Sequence, residues 1–168
     1  MYRISNISRS RREYFKSSFL LKPDGKIGHW FVIRRQGENL LIFQSLDQLR
    51  EIKTSLGFYK IRTKCSLDIV EDDRYLQLKI NEETFTFSQT TKNENLKSWN
   101  EITLKLELPL PEIIDEGLLP NETKWLDKMV DFNKGCFLGQ EQASRVKFRG
   151  RPRRLLISKG DYQELIKI

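Results

Sequence analysis

Two runs rich in apolar residues near the start of the chain, 14–21 and 27–34, flank Pro23-Asp24-Gly25, and this layout predicts a β-hairpin. Gln36-Gly37-Glu38-Asn39 turns the chain again, into a short apolar strand at 40–43. Ser45 then stands as an N-cap before Leu46, Leu49, Ile52 and Leu56, which share one helical face, and Gly57 marks the expected end. Short β-type runs follow at 59–62, 66–70, 75–80 and 84–88, separated by polar turns such as Glu71-Asp72-Asp73. A polar connector covers 90–97. Over 99–108, Ile102, Leu104, Leu106 and Leu108 alternate with mostly polar neighbours, the period of a half-buried strand, which Pro109 and Pro111 stop. Residues 111–116 read as a short acidic helix, and Asn121 as the cap of another over 122–130. This order of elements predicts an α+β fold of antiparallel sheets with helices on one side.

A chain of 168 residues supports one domain, or two small subdomains sharing a core, and should bury roughly 70% of its unfolded surface. Hydrophobic content of 38% supplies a core and argues against disorder. The expected division is a basic arm at 1–13, a domain at 14–155 and a tail at 156–168. Arg3, Arg9, Arg11, Arg12 and the serines among them fit a disordered arm of a cytoplasmic protein; a transit peptide to the mitochondrial matrix is the alternative. Thirty basic against 23 acidic residues give a net charge of +7, which favours an anionic partner. Apolar runs are too short to cross a bilayer.

Cys65 and Cys136, far apart and without a secretory signal, predict reduced thiols and no disulfide framework. His29 is the only histidine, so no metal site and no Ser-His-Asp triad is expected; within its apolar run His29 is expected to pack.

One stretch carries unusual chemistry: Lys134-Gly135-Cys136-Phe137-Leu138-Gly139-Gln140-Glu141. Gly135 and Gly139 permit positive φ and close backbone approach, predicting a tight loop. Gly139-Gln140-Glu141 reads as a helix entry with a carboxylate in the first turn. Cys136 admits two readings. Near a helix N-terminus and Lys134 its thiolate would be favoured; alternatively it is a small buried apolar residue. The next stretch, 142–160, has no acidic residue, while Arg145, Lys147, Arg149, Arg151, Arg153, Arg154 and Lys159 are basic. It reads either as a basic strand face or as a helix to about Phe148, ending at Gly150, with the arginines beyond it on a strand. A solvated face and a polyanion contact both fit such a run.

Lys134 to Glu141, followed by Arg145 and a basic Arg149-Gly150 turn, resembles the signature of the YgfZ-type folate-binding proteins, relatives of the aminomethyltransferase of the glycine cleavage system. Leu21-Lys22-Pro23-Asp24-Gly25-Lys26 is similar to that family's Pro-x-Gly hairpin, and Leu119-Pro120-Asn121-Glu122 to its Leu-Pro-x-Glu step. The resemblance covers about 15–155. It implies ferredoxin-like α+β subdomains, without the further N-terminal segment and C-terminal β-barrel that family members usually carry. It further implies a folate-binding accessory protein for iron–sulfur enzymes and tRNA modification, with tetrahydrofolate or a derivative as cofactor. Cys136 would be the functional thiol, ligating iron transiently or exchanging with a partner. Lys134, Gly135, Phe137, Gly139, Gln140, Glu141, Arg145 and Arg149 would form the cofactor site. A carboxylate for the pterin N–H edge, an aromatic slot and cations for the glutamate tail are the chemical needs, which Glu141, Phe137 and Arg145 with Arg149 match in kind.

Two other function classes stand beside this one. A non-catalytic basic surface, 145–154, would bind RNA or an acidic protein. Folate-dependent aminomethyl transfer ranks last, because the cysteine-containing Gln-Glu form of the loop points away from that branch.

Overall fold

The computed structural model describes residues 2–4, 15–61, 63–71, 74–81, 84–91 and 96–168. The chain forms two compact units, Met1–Ser17 with Phe31–Leu96, and Ser18–Trp30 with Lys97–Ile168. The fold is α+β with antiparallel sheets. Most of the expected basic arm at 1–13, the centre of the Glu71-Asp72-Asp73 turn and much of the 90–97 connector lie outside the described residues.

In the first unit, β1 (Tyr2–Ile4) pairs antiparallel with two later strands. Together with β2 (Phe15–Leu21), β3 (Ile27–Gln36), β4 (Asn39–Gln44) and β5 (Ile69–Glu71) it makes a sheet ordered β2-β3-β4-β1-β5. The β3–β4 register runs from Val32 opposite Phe43 to Gln36 opposite Asn39, closed by Gly37 at φ 56°. Helix α1 (Leu46–Tyr59) starts at Ser45, whose Oγ accepts from the Gln48 N–H, and buries Leu49 and Ile52. The strand expected at 59–62 is not formed over 59–61, its described residues: the helix runs through Gly57 to Tyr59. Gly57 faces open space, so glycine here carries only its propensity penalty, which the packed Leu49–Ile52 face outweighs. The strand expected at 66–70 shrinks to β5. Strands β6 (Tyr75–Ile80) and β7 (Phe85–Thr90) pair from Tyr75 opposite Thr90 to Ile80 opposite Phe85, and bury Phe85 and Phe87 on one face.

The second unit takes the tip of the β2–β3 hairpin, residues 18–30, and everything from Lys97 onward. Its core includes Phe19, Leu21, Ile27, Trp30, Leu106, Leu108, Leu118, Trp125, Met129 and Ala143. His29 is buried, as its apolar run predicts.

Residues 99–106 are helix α2 (Trp99–Leu106), not the expected strand. The apolar residues fit both periods, but Trp99, Ile102, Thr103 and Leu106 also lie at helical spacing, and Thr103 hides its place on that face by being polar. Its hydroxyl donates to the Trp99 carbonyl at 2.6 Å, which lets it be buried. A reciprocal cap decides the matter: Glu101 N–H donates to Ser98 Oγ (3.1 Å), and Ser98 N–H to the Glu101 carboxylate (2.8 Å). Trp99 stacks edge-on to Trp30, centroids 5.7 Å apart.

Helix α3 (Pro111–Asp115) forms as expected. The helix expected over 122–130 does not: a 3-10 turn (Pro120–Glu122) and a short α4 (Leu126–Met129) replace it. Asn121 sits inside that turn rather than capping. The Trp125 indole instead donates to the Leu106 carbonyl at 2.6 Å, fixing the chain where a continuous helix would have passed. Helix α5 (Gln140–Arg149) is followed by β8 (Arg154–Lys159) and β9 (Tyr162–Lys167). The residues expected as a tail at 156–168 are therefore mostly an antiparallel hairpin, Arg154 opposite Lys167. Its anchor is the buried Gln163 amide, which accepts from Leu110 N–H (2.8 Å) and donates to the Leu108 carbonyl (2.7 Å). No helix among the described residues is long and apolar enough to cross a membrane.

Removing the cap by Ser98→Ala should lower stability by about 1 kcal/mol, read as a fall in the urea midpoint with unchanged slope. Hydrogen bonds from Ser98, its backbone N–H first, hold the Glu101 carboxyl below its ordinary value. A carboxyl lowered on folding stabilises above its unfolded value and loses that contribution as pH falls through the folded one. The wild-type advantage over Glu101→Gln should therefore shrink between neutral and strongly acidic pH; an advantage that holds or grows would contradict the cap.

Candidate functional site

The cysteine loop is shaped by its own polar groups. Asn133 N–H donates to Asp131 Oδ1 at 3.0 Å, and Gln140 closes the far end: its backbone N–H donates to the Phe137 carbonyl, while its side-chain oxygen accepts from Phe137 N–H. Gln140 is thus used to hold the loop. Gly139 caps α5 with φ 74°, in the left-handed region, and its carbonyl accepts the first helical bond from Ala143. Gly135 departs from expectation, since it needs no positive φ and a Cβ there would meet nothing. Cys136 is exposed, which removes the buried-residue reading. The Lys134 ammonium lies 4.7 Å from the Phe137 ring centroid.

Gly139 is required for a second reason. A Cβ there would lie 2.6 Å from the Lys22 carbonyl oxygen and 2.9 Å from Gly25 Cα. Reciprocally, Gly25, at φ 78°, could carry a Cβ only 2.6 Å from Gln142 Cβ. The hairpin turn and the entry to α5 therefore meet backbone to backbone. Asp24 sets that turn, accepting from Lys26 N–H and pairing with the Lys26 ammonium at 2.8 Å; this pairing, the side-chain hydrogen bond first, holds the carboxyl below its usual range.

The Leu119-Pro120-Asn121-Glu122 step supplies the opposite wall. Glu122 is buried; its carboxylate accepts from Leu119 N–H and takes a bidentate pair from Arg154, each contact 2.9 Å. That hydrogen-bonded pairing raises the Arg154 guanidinium above its ordinary value. The pair was not foreseen, and Arg154 preceding an apolar strand was its only trace.

Helix α5 buries Ala143 and Val146 and turns its cations outward. This settles the basic run as a helix, with Arg154 on the strand beyond. Between α5, the 119–122 step and the segment 150–153 lies an open groove of about 520 Å³, lined by Gln142, Arg145, Val146 and Arg149 from the helix and by Arg151 and Arg153 beyond it. Arg149, Arg151 and Arg153 are exposed. Asn121 Oδ1, also on the groove, is buried without a hydrogen-bond partner. Of the residues named from sequence, Gln142's neighbours Arg145 and Arg149 reach the groove. Glu141 is almost fully exposed and pairs with Arg145 at 2.9 Å, while Lys134, Gly135, Cys136 and Phe137 belong to the preceding loop and do not line it.

Outside the groove lining, at the C-terminal end of α5, is an aromatic patch. Phe132 lies edge-on to both Phe137 and Phe148, with centroids 6.2 and 6.0 Å away. The Lys147 ammonium sits 4.3 Å from the Phe132 centroid and pairs with Asp127. Phe148 remains 70% exposed. Phe132 and Phe148 were missed because sixteen positions separate them and only the fold brings them together. Among the described residues, no group of three or more histidine, cysteine or acidic side chains could hold a metal ion.

No family model and no curated protein matches the chain.

Three glycine variants test the contact between the turn and the helix entry. Gly37→Ala, at positive φ in open space, should cost about 1–2 kcal/mol of backbone strain alone. Gly139→Ala and Gly25→Ala add a steric clash and should lower the urea midpoint clearly further. Equal losses at all three would show the close approach to be unimportant.

Proposed function

We propose that this chain is a folate-binding accessory protein of the YgfZ type, built on ferredoxin-like subdomains, that supports iron–sulfur enzymes and tRNA modification. The observation that carries this reading is convergence. The Pro23-Asp24-Gly25 turn, far away in sequence, and the Leu119 to Glu122 step both adjoin α5, into which the Lys134 to Glu141 loop leads, in one unit. Two of the residues the resemblance implies for the cofactor, Arg145 and Arg149, lie on a groove of ligand size.

In this reading the carboxylates of a folate glutamate tail pair with Arg145 and Arg149. Arg145 gives up only an exposed bond to Glu141, worth little in water. Cys136, exposed and outside the groove, presents its thiol to a partner rather than to the ligand.

The test is a thermal-shift and calorimetric titration with a reduced folate, using wild type, Cys136→Ala and Arg145→Ala/Arg149→Ala. Ligand bound only to the folded state adds about 2.7 kcal/mol at a hundredfold excess over Kd. Wild type and Cys136→Ala should shift alike and the double variant should not; no wild-type shift at millimolar ligand removes the folate reading. Alkylation at neutral pH examines the thiol separately: the exposed Cys136 should react ahead of the partly buried Cys65, and equal rates would count against a thiol presented to a partner.

A further inference from the structure

We propose that the end of α5 and the segment after it form a track for single-stranded nucleic acid, with phosphates on Arg149, Arg151 and Arg153 and an unstacked base on Phe148. This goes beyond the folate reading and does not depend on it.

Charge gives the first argument. Arg149, Arg151 and Arg153 line one groove, and the stretch from 142 to 160 has no acidic residue. The acid on the opposite wall, Glu122, is already engaged by both nitrogens of the Arg154 fork and by Leu119 N–H, so it does not neutralise them. Closely spaced guanidiniums repel one another and favour a partner with repeated negative charge.

The aromatic ring gives the second. Phe148 directly precedes Arg149, and 70% of it meets solvent, although an apolar residue gains by burial. It is held in place by Phe132, 6.0 Å away at 68°, and by the Lys147 ammonium at 5.6 Å. A fixed, exposed ring on the same helix as Arg149, though outside the groove lining, offers a face on which a base of a flexible single strand can stack, because every base has a π-face. A duplex keeps its bases stacked on one another and offers none.

The third is the unpaired Asn121 oxygen. A buried acceptor without a donor is destabilising until a ligand supplies one. Nucleic acid carries suitable donors, the N–H groups of the bases (N3–H in uracil and thymine) and, in RNA, the ribose 2′-hydroxyl. Oligoglutamate would satisfy the arginines but has no ring for Phe148.

Fluorescence polarisation with labelled oligouridylate of about twelve nucleotides, within the site size of single-strand binders, tests this directly. Parallel probes are oligothymidylate of equal length, a duplex and oligoglutamate. Single strands should bind, with an affinity that falls as salt rises at a slope of about −2, from roughly −0.7 for each of the arginine contacts. Phe148→Ala should weaken binding about tenfold and leave the salt slope unchanged. Arg151→Ala/Arg153→Ala should flatten the slope by about 1.4. Phe58→Ala, removing an equally exposed ring in the other unit, should change neither. Preference for RNA over DNA assigns the 2′-hydroxyl to Asn121, and equal binding assigns a base edge. Duplex or oligoglutamate bound as tightly as the single strand, or full affinity in Phe148→Ala, overturns the proposal. The Phe148→Ala protein keeps Arg145 and Arg149, so its response to reduced folate separates failure of this inference from failure of the folate reading.

Discussion

The second unit depends on two glycines that touch. Gly139 turns the chain into α5 and leaves room that the hairpin backbone fills, while Gly25 turns the hairpin and leaves room filled first by the Gln142 side chain and then by the Gly139 carbonyl. Both require positive φ, so both would be strained as any other residue even in open space. The contact sets how far α5 lies from the hairpin tip, and with it where Gln142, Arg145 and Arg149 stand on the groove. Backbone against backbone has no rotamers to relax, which makes this a stiffer joint than any side-chain contact nearby.

Around that joint, polar groups differ greatly in what they contribute. Glu141 with Arg145 and Lys147 with Asp127 are largely exposed pairs, of the kind that add less than about 1 kcal/mol. Glu122 is different: its carboxylate is buried, so losing Arg154 would leave an uncompensated charge. Gln163 does similar work with an amide, satisfying the chain at Leu108 and Leu110 where prolines interrupt regular structure. The firm tie between β8 and the 119–122 step is therefore ionic and buried, while Arg149, Arg151 and Arg153 on the groove are exposed.

Much of the architecture was legible in the sequence, and the exceptions share a cause. The first hairpin, the Ser45 cap, β6 and the entry to α5 follow from turn and cap chemistry within a few residues. The 99–106 helix was misread because Thr103 breaks the apparent apolar stripe while being buried through its own hydroxyl. The C-terminal hairpin was misread because its anchor, Gln163, is a polar residue whose partners lie more than fifty positions away. At the site, the loop glycines and the basic run announced themselves. The orphaned Asn121 oxygen, the Glu122–Arg154 pair and the meeting of Phe132 with Phe148 are tertiary facts, and no local pattern encodes them.

The division of the chain carries a consequence for its synthesis. Phe19, Leu21, Ile27 and Trp30 leave the ribosome early, yet the residues that share their unit begin only at Lys97. Until those follow, the hairpin tip has no core of its own to enter. The nascent chain must carry an apolar tip past the whole length of the intervening unit, a long-range closure that slows folding and invites chaperone attention.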